Sequence, residues 1–236
     1  MRRAFLGLLM AVAACGDSSG PAPGFECLGA PIPTTAPATI VVSGQIRANA
    51  LSPNALGGAI ITAFRVGVTD SIAVATSNTP GFYSLSITTG GTPVNGYLRV
   101  THSGQVDTYA YPSRPLFADL ATNVLMPTSN ELAFLGAAVG VTQAAGNGFI
   151  GVIVKDCDGA TIAGATVFTT PPGTVRYNSG STPSGSATST SSDGVAYLFN
   201  VPAGNVIVQS NAGGNVLRSH TVNARADVVT LTEIQP

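Results

Sequence analysis

From residue 39 onward, hydrophobic residues alternate with polar or small ones in runs of strand length, beginning with Ile40, Val42 and Ile46. This period of two is typical of half-buried β-strands. Further runs rich in β-branched and aromatic residues cover 59–66, 71–76, 82–88, 96–101, 106–111 and 120–125, and then 149–155, 165–170, 175–177, 195–200, 206–210, 216–222 and 228–234. Glycine, proline and asparagine separate these runs, so the pattern predicts the short strands and turns of β-sandwiches.

The alternation loosens between the two sets of runs. There Thr128 and Glu131 have the spacing of a capping box, in which each side chain satisfies a free backbone donor of the other residue. Leu132, Leu135 and Val139 follow on one helical face. We therefore predict one short helix of about three turns, which connects the two sandwiches.

Two stretches lack hydrophobic periodicity. Residues 16–38 consist largely of Gly, Pro, Ser, Ala and Thr, which predicts an extended tether. Phe25 and Cys27 interrupt this composition, and we expect them to fasten the tether to a folded domain. Residues 179–192 are almost wholly polar or small, which predicts a mobile loop or an irregular sheet edge.

The N-terminal residues have the order of a secretory signal. Arg2 and Arg3 precede an apolar run at 5–12, which is too short to span a bilayer. Small residues and Cys15 follow at 12–15, and these four positions resemble the lipobox of bacterial lipoprotein precursors. The resemblance implies cleavage before Cys15 and lipidation of that cysteine; an ordinary cleaved signal peptide is the alternative.

The same resemblance bears on the address of the protein. In that family an aspartate directly after the lipidated cysteine retains the protein at the inner membrane, and here Gly16 occupies that position. We therefore expect an outer membrane lipoprotein of the cell envelope.

The predicted fold class is all-β, with two tandem antiparallel β-sandwich domains and one short connector helix. The predicted segments are the signal peptide at 1–14, the tether at 15–38, the first sandwich at 39–126, the connector at 127–147 and the second sandwich at 148–236.

Composition narrows the function. Charged residues make up 9% of the chain and the formal net charge is −1, with a single lysine at Lys155. Because no basic patch could hold phosphates, we expect no nucleic-acid partner. No apolar run of about twenty residues follows Cys15, so we expect the mature part to be soluble and held at the membrane by its lipid.

The cysteines predict one covalent link. If Cys15 is acylated, Cys27 and Cys157 remain in an oxidising compartment, where we expect them to form a disulfide; two free thiols are the alternative. Neither cysteine lies in a C-x-x-C pair, and a zinc site needs four donors, so we expect no metal.

The two halves share one internal plan. The segments 44–46, 56–60, 75–76 and 80–83 recur in order as 151–153, 162–167, 188 and 193–197. Asp158-Gly159 and Asp193-Gly194 have the chemistry of tight turns, and Gly58 and Gly164 are expected to permit close approach of the chain where a strand begins.

This plan resembles the carboxypeptidase regulatory-like domain, a small transthyretin-like antiparallel β-sandwich. The resemblance covers most of 39–236 and is better in the second half, because the first half has Thr79-Pro80-Gly81 where the second has Asp193-Gly194. It implies a non-catalytic appendage, while related starch-binding-like folds sometimes bind carbohydrate.

Three features of the sequence contain residue types that occur in chemical sites. The segment 146–151, GNGFIG, matches the dinucleotide fingerprint but precedes a strand instead of opening a helix, so we reject that interpretation. The acidic segment 156–159 fits a turn better than a calcium loop, which needs further acidic ligands. His102 and His220 lie in corresponding late strands without a neighbouring acid, so no catalytic residue is assigned.

Tyr109 and Tyr111 alternate along one strand and therefore share a face. They could form a stacking platform for sugar, although packing in the core or at a strand end is the more common role of such residues.

We expect a non-catalytic, lipid-anchored envelope protein without cofactors that acts as a binding, adhesion or spacer module, with a protein or polysaccharide partner. The alternative is a carbohydrate-binding module of the starch-binding-like, carbohydrate-binding-like fold.

Overall fold

The computed structural model describes residues 22–49 and 53–236. The first half forms β1 (Thr39–Ala48), β2 (Asn54–Ala55), β3 (Ile60–Arg65), β4 (Ser71–Thr76), β5 (Phe82–Thr88), β6 (Gly96–Thr101), β7 (Thr108–Tyr111), β8 (Leu120–Ala121) and β9 (Val124–Met126). Helix α1 (Ser129–Ala138) follows. The second half forms β10 (Asn147–Val154), β11 (Thr166–Thr170), β12 (Thr174–Ser179), β13 (Thr182–Ser184), β14 (Val195–Pro202), β15 (Gly204–Ala212), β16 (Asn215–Val216), β17 (His220–Ala224) and β18 (Val229–Ile234).

Half of these strands, nine of eighteen, belong to one sheet that runs through both halves. Its order is β13-β12-β14-β10-β18-β7-β6-β3-β4. A smaller sheet of β1, β2, β5, β8 and β9 packs on the first half, and another of β11, β15, β16 and β17 packs on the second. The predicted all-β sandwich class is confirmed.

The pairing is not wholly antiparallel. Strand β18 runs parallel to both β10 and β7, and β1 runs parallel to β8 and β9. Because β18 bonds to one strand from each half, the two sandwiches are joined through a continuous backbone ladder. The division of the chain into two separate domains at the predicted boundaries stays a prediction.

The two hydrophobic cores lie on opposite faces of the shared sheet. Along β7, Tyr111 belongs to the second core and Ala110 packs against the first. Along β18, Ile234 belongs to the second core and Leu231 packs against the first. Successive residues of a strand point to opposite faces, so each of these two strands serves both cores.

Helix α1 forms as the capping box predicts. Thr128 accepts a bond from the Glu131 N–H at 3.2 Å, and the Glu131 carboxylate accepts one from the Thr128 N–H at 2.6 Å. Leu135 and Val139 pack with Phe199 and neighbouring residues in a third cluster. The helix therefore covers the face of the second half's sheet that its small sheet leaves open.

The internal repeat is visible in its hydrogen bonds. In the first half, the buried Ser77 hydroxyl donates to the Leu56 carbonyl and accepts from the Ala59 N–H. In the second half, the buried Thr190 hydroxyl donates to the Ile162 carbonyl and accepts from the Ala165 N–H. In each half, one buried hydroxyl thus bonds to the segment that leads into the second strand of the repeat, which is β3 in the first half and β11 in the second.

The repeat alignment at β1 and β10 is one residue away from the expected one. Ile46 donates to the Gly81 carbonyl and accepts from Leu56. Val154 makes the matching bonds, with Gly194 and Ile162. Val154 therefore corresponds to Ile46, so the predicted match of 44–46 with 151–153 is wrong by one position.

The glycines act differently from the expectation. Gly58 and Gly164 have positive φ angles of 82° and 79° with open space around them, so they provide a left-handed turn and not a close approach. The close approach occurs at Gly44 in β1, where an added Cβ would overlap the Thr122 carbonyl.

The segment 179–192 is an irregular edge, one of its two predicted forms. It contains the short edge strand β13, which pairs with β12. Its end is fixed because Thr190 is 3% exposed and fully hydrogen-bonded through its hydroxyl and backbone. Buried polar contacts at Thr190 order this stretch, together with the packing of Ala187 against the second core.

Candidate functional site

The tether is fastened to the second half. Cys27 and Cys157 form a disulfide with an S–S distance of 2.04 Å, which is the pairing that the sequence analysis expected. Next to it, the Cys157 N–H donates to the Gly24 carbonyl at 2.9 Å, and Phe25 packs against the second core. Further along, Arg218 donates to the Ala30 carbonyl. Covalent, apolar and polar contacts thus hold one short segment.

An aromatic row crosses the sheet close to the junction of the two halves. Tyr97 lies 5.4 Å from Phe64, 5.9 Å from Tyr109 and 5.0 Å from Tyr111 between ring centroids. The four residues come from β3, β6 and β7 and occupy one face because their positions alternate in register. Tyr109 and Tyr111 share a face as expected.

The two predicted stacking rings are not both open to solvent. Tyr111 is 6% exposed and belongs to the second core. The guanidinium carbon of Arg225 lies 3.8 Å from the Tyr109 ring centroid, so it covers that face. The structure therefore corrects the idea of a two-tyrosine sugar platform, because burial and Arg225 remove the flat surface that a sugar ring needs.

Arg225, which the sequence analysis did not single out, links the two halves at this point. It follows β17 and donates to the Tyr111 hydroxyl at 3.1 Å and to the Asn223 carbonyl at 2.8 Å. Burial raises the pKa of the Tyr111 phenol, so that group stays protonated at neutral pH. With its ring contacts and bonds, Arg225 acts as a clamp across the seam.

A cleft of about 360 Å³ lies at the end of the first sandwich. The loop at 112–119 forms one wall, and core residues such as Val42 and Leu98 form another. Polar groups at its rim are already paired: Ser113 bonds to Gln235, and Glu233 forms an ion pair with Lys155. The cleft is therefore mainly apolar, and its volume suits a small ligand or a single side chain.

The histidines do not come together. His102 follows β6 in a turn, whereas His220 begins β17, so they do not occupy corresponding strands as expected. The His220 ring bonds to the Thr232 hydroxyl at 2.6 Å, and burial lowers its pKa to about 4. Its surroundings favour a neutral packing residue.

The remaining motifs are structural. The glycine motif at 146–151 runs into β10 and opens no helix. Asp156 accepts bonds from the backbone N–H groups of Asp158 and Ala160, which makes the acidic segment a turn.

Within residues 22–49 and 53–236, no three His, Cys, Asp or Glu side chains group as metal ligands would. Over the same residues, no helix has the length and hydrophobicity to cross a membrane. Cys15 lies outside the described residues.

No family model and no curated protein matches this sequence. Solved structures similar to it include the Bacillus anthracis TIE protein, with 10% identity over 84% of this chain and 35% of that chain and a TM-score of 0.28. Shaft pilin SpaA from Lactobacillus rhamnosus GG is similar, with 11% identity over 84% of this chain and 98% of that chain and a TM-score of 0.27. GBS52, the minor pilin of Streptococcus agalactiae, is similar, with 11% identity over 83% of this chain and 95% of that chain and a TM-score of 0.25. This chain spans 35% of the TIE chain.

Proposed function

We propose that this protein is a non-catalytic spacer or protein-binding module, anchored in the cell envelope through a lipid on Cys15. The observation that carries the proposal is the attachment of the tether: the disulfide at Cys27 joins the segment after the proposed anchor directly to the second half. The bridge shortens the free part of the tether between the proposed anchor and the folded part, so it limits how far a spacer could move from that anchor.

The continuous sheet supports the same role. Because β18 pairs with β10 and β7, the second half holds the first half through backbone bonds and not through a flexible linker. The Arg225 clamp adds a side-chain contact across the seam. The first half, with its cleft, is then the part presented to a partner.

The experiment is a comparison of membrane fractions from cells that produce the full chain. Wild-type protein should sediment with membranes and carry acyl groups on an N-terminal Cys15 by mass spectrometry, whereas Cys15→Ala should remain uncleaved and unacylated. Cys27→Ser is the matched control, since it removes a cysteine but keeps the anchor, and it should be acylated like the wild type. An unmodified Cys15 in the mature wild-type protein would contradict the proposal.

The proposed lack of catalytic activity is tested separately. The purified protein should show no turnover of ester, peptide or glycoside substrates. Turnover that disappears in His102→Ala or His220→Ala would overturn it.

A further inference from the structure

Strand β4 is the outermost strand of the shared sheet at the first half's end. Among the described residues it pairs only with β3, so its other side has no strand partner. Its sequence, Ser71–Thr76, contains no charged residue and no proline. Natural edge strands usually carry such residues to prevent pairing with another chain, so this edge lacks the common protection.

The backbone of β4 offers bonding groups to a new strand. The Ser77 N–H donates to the Ala59 carbonyl directly opposite, so Ser77 and, two residues earlier, Ala75 direct their backbone groups toward β3. In an antiparallel ladder the intervening residues direct theirs the other way. Val74 and Thr76 therefore present N–H and C=O groups at the free edge. An irregularity in the ladder at Ile72 limits the regular stretch to residues 73–76.

Exposed hydrophobic side chains concentrate around this strand. Of the eleven large hydrophobic residues that are exposed among those described, five lie on β3 or β4, in the turn between them, or at the start of β5: Ile60, Val66, Val68, Val74 and Phe82. Val74 is 60% exposed and shares the outer face of the sheet with Ile60, which is 48% exposed. Clustered exposed hydrophobic residues mark an interaction surface, whereas scattered ones need no explanation.

Other sheet edges are less open to pairing. Strand β13 has three residues and contains Pro183, which has no N–H to donate. On β5, the backbone groups of Phe82 are bonded to Asn78, and the Thr88 carbonyl accepts from Arg65. On the edge strand β11, the Tyr177 hydroxyl bonds to both the N–H and the carbonyl of Val167. On the edge strand β17, the Asn223 carbonyl accepts from Arg225. These contrasts single out β4.

We propose that two copies of this chain associate through antiparallel pairing of their β4 strands, and this extends the proposed spacer function by naming a partner. A two-fold axis places each residue near its own copy, so a charged edge would repel itself while the uncharged β4 does not. With the axis at Ala75, Val74 of one copy pairs with Thr76 of the second copy, twice, which gives about four backbone bonds. The small Ala75 side chains permit the close approach at the centre.

The test is sedimentation equilibrium of the full chain in density-matched detergent over a range of concentrations. The wild type should show a reversible monomer–dimer equilibrium. Val74→Lys should weaken association at least about tenfold, because burial of two valines is lost and the two introduced lysines lie diagonally across the strand pair, where their charges repel. Val216→Lys is the matched control, since Val216 is a 65% exposed valine on β16, and it should associate like the wild type.

A second variant separates backbone pairing from side-chain contact. Val74→Pro removes an N–H that faces solvent in the monomer, so the monomer should keep its fold while association is lost. Circular dichroism of both variants checks the fold. A wild type that is monomeric at every concentration, or equal weakening by Val74→Lys and Val216→Lys, would overturn the proposal. Neither result would alter the acylation of Cys15, so the proposed anchor is judged separately.

Discussion

The two halves follow one plan until the second strand of the repeat ends, and then they diverge. After β3 the chain turns at Gly67 and returns as β4 on the same sheet. After β11 it meets Pro171 and Pro172, crosses to the other sheet and pairs with β14 as β12. Proline has no N–H for a ladder, so it disfavours a tight return onto β11. A few turn residues thus decide which strand becomes an edge.

The outer faces differ for a related reason. In the second half, α1 packs over Phe149 and Phe199. In the first half no described helix covers Ile60 and Val74, which stay exposed. The connector that shields one half therefore leaves the other available for contact. In this protein, the connecting segments, more than the repeated strands, therefore determine which sheet face stays exposed.

Loss of the Cys27–Cys157 bridge, which holds the tether to the second half, should lower stability most. The double variant Cys27→Ser, Cys157→Ser should lower the free energy of unfolding by about 4–5 kcal/mol in the chain-entropy model, because the bridge closes a loop with a sequence separation of 130. Urea denaturation measures the change. Reduced wild-type protein is the control and should match the variant; a change below about 1 kcal/mol would contradict the expectation.

The next effect tests the close approach inside the first half. Gly44→Ala places a methyl group against the Thr122 carbonyl and should destabilise the protein by about 3 kcal/mol or more. Gly151→Ala in β10 is the control, since its Cβ would meet side-chain atoms and no backbone: Leu231 Cδ2 at 3.0 Å and Phe149 Cε1 at 3.9 Å. Thermal unfolding of both variants gives the comparison, and equal losses would show that the Thr122 backbone yields readily.

A third prediction concerns the matched hydroxyls. Ser77→Ala and Thr190→Ala should each cost about 1–3 kcal/mol, because each leaves a buried N–H and a carbonyl without their side-chain partner. Because the halves share a sheet, both variants should lower the midpoint of one common transition in calorimetry. Thr190→Ser retains the hydroxyl and should lose less. Two separate transitions, each moved by one variant, would show that the halves unfold independently.

The smallest effect concerns pH and the second half. Burial lowers the pKa of His220 to about 4, below its ordinary value of 6.5, so the unfolded chain binds a proton more readily than the folded one. The resulting stability is present above pH 6.5 and declines as the pH falls from 6.5 toward 4. His220→Gln should flatten the fall of Tm between pH 6.5 and 5. Thr221→Ala, on the exposed side of β17, should keep the wild-type slope.

Much of the fold was predictable because strands, turns and the helix have local signals. The alternation around Ile40 and Val42 and the capping box at Thr128 gave correct elements. The fusion of the sheets was not predictable, because β18 pairs with β7 across a long sequence separation and carries buried polar residues at Thr230 and Thr232. Those threonines interrupt the hydrophobic pattern that marks a strand buried on both faces.

The candidate site was predictable only in part. The Cys27–Cys157 pairing followed from counting cysteines, and the common face of Tyr109 and Tyr111 followed from the period of a strand. The contact of Arg225 with the Tyr109 ring could not be predicted from the sequence, because a contact between a cation and an aromatic ring requires no particular residue spacing. Likewise, Thr190 looks like any other threonine in a polar stretch until its hydrogen bonds are seen.

The position of Cys27 gives the proposed anchor a definite reach. Cys27 lies twelve positions after Cys15, and an extended chain covers at most about 3.3–3.6 Å per residue, so the Cys27–Cys157 disulfide would stay within about 40 Å of the proposed lipid. If the bridge were opened and the tether peeled away, the next backbone contact is the Ala36 N–H with the Gly91 carbonyl. The reach would then grow to about 70–75 Å. In the proposed anchored protein, the redox state of one cysteine pair would thereby set how far from the membrane surface the molecule can extend.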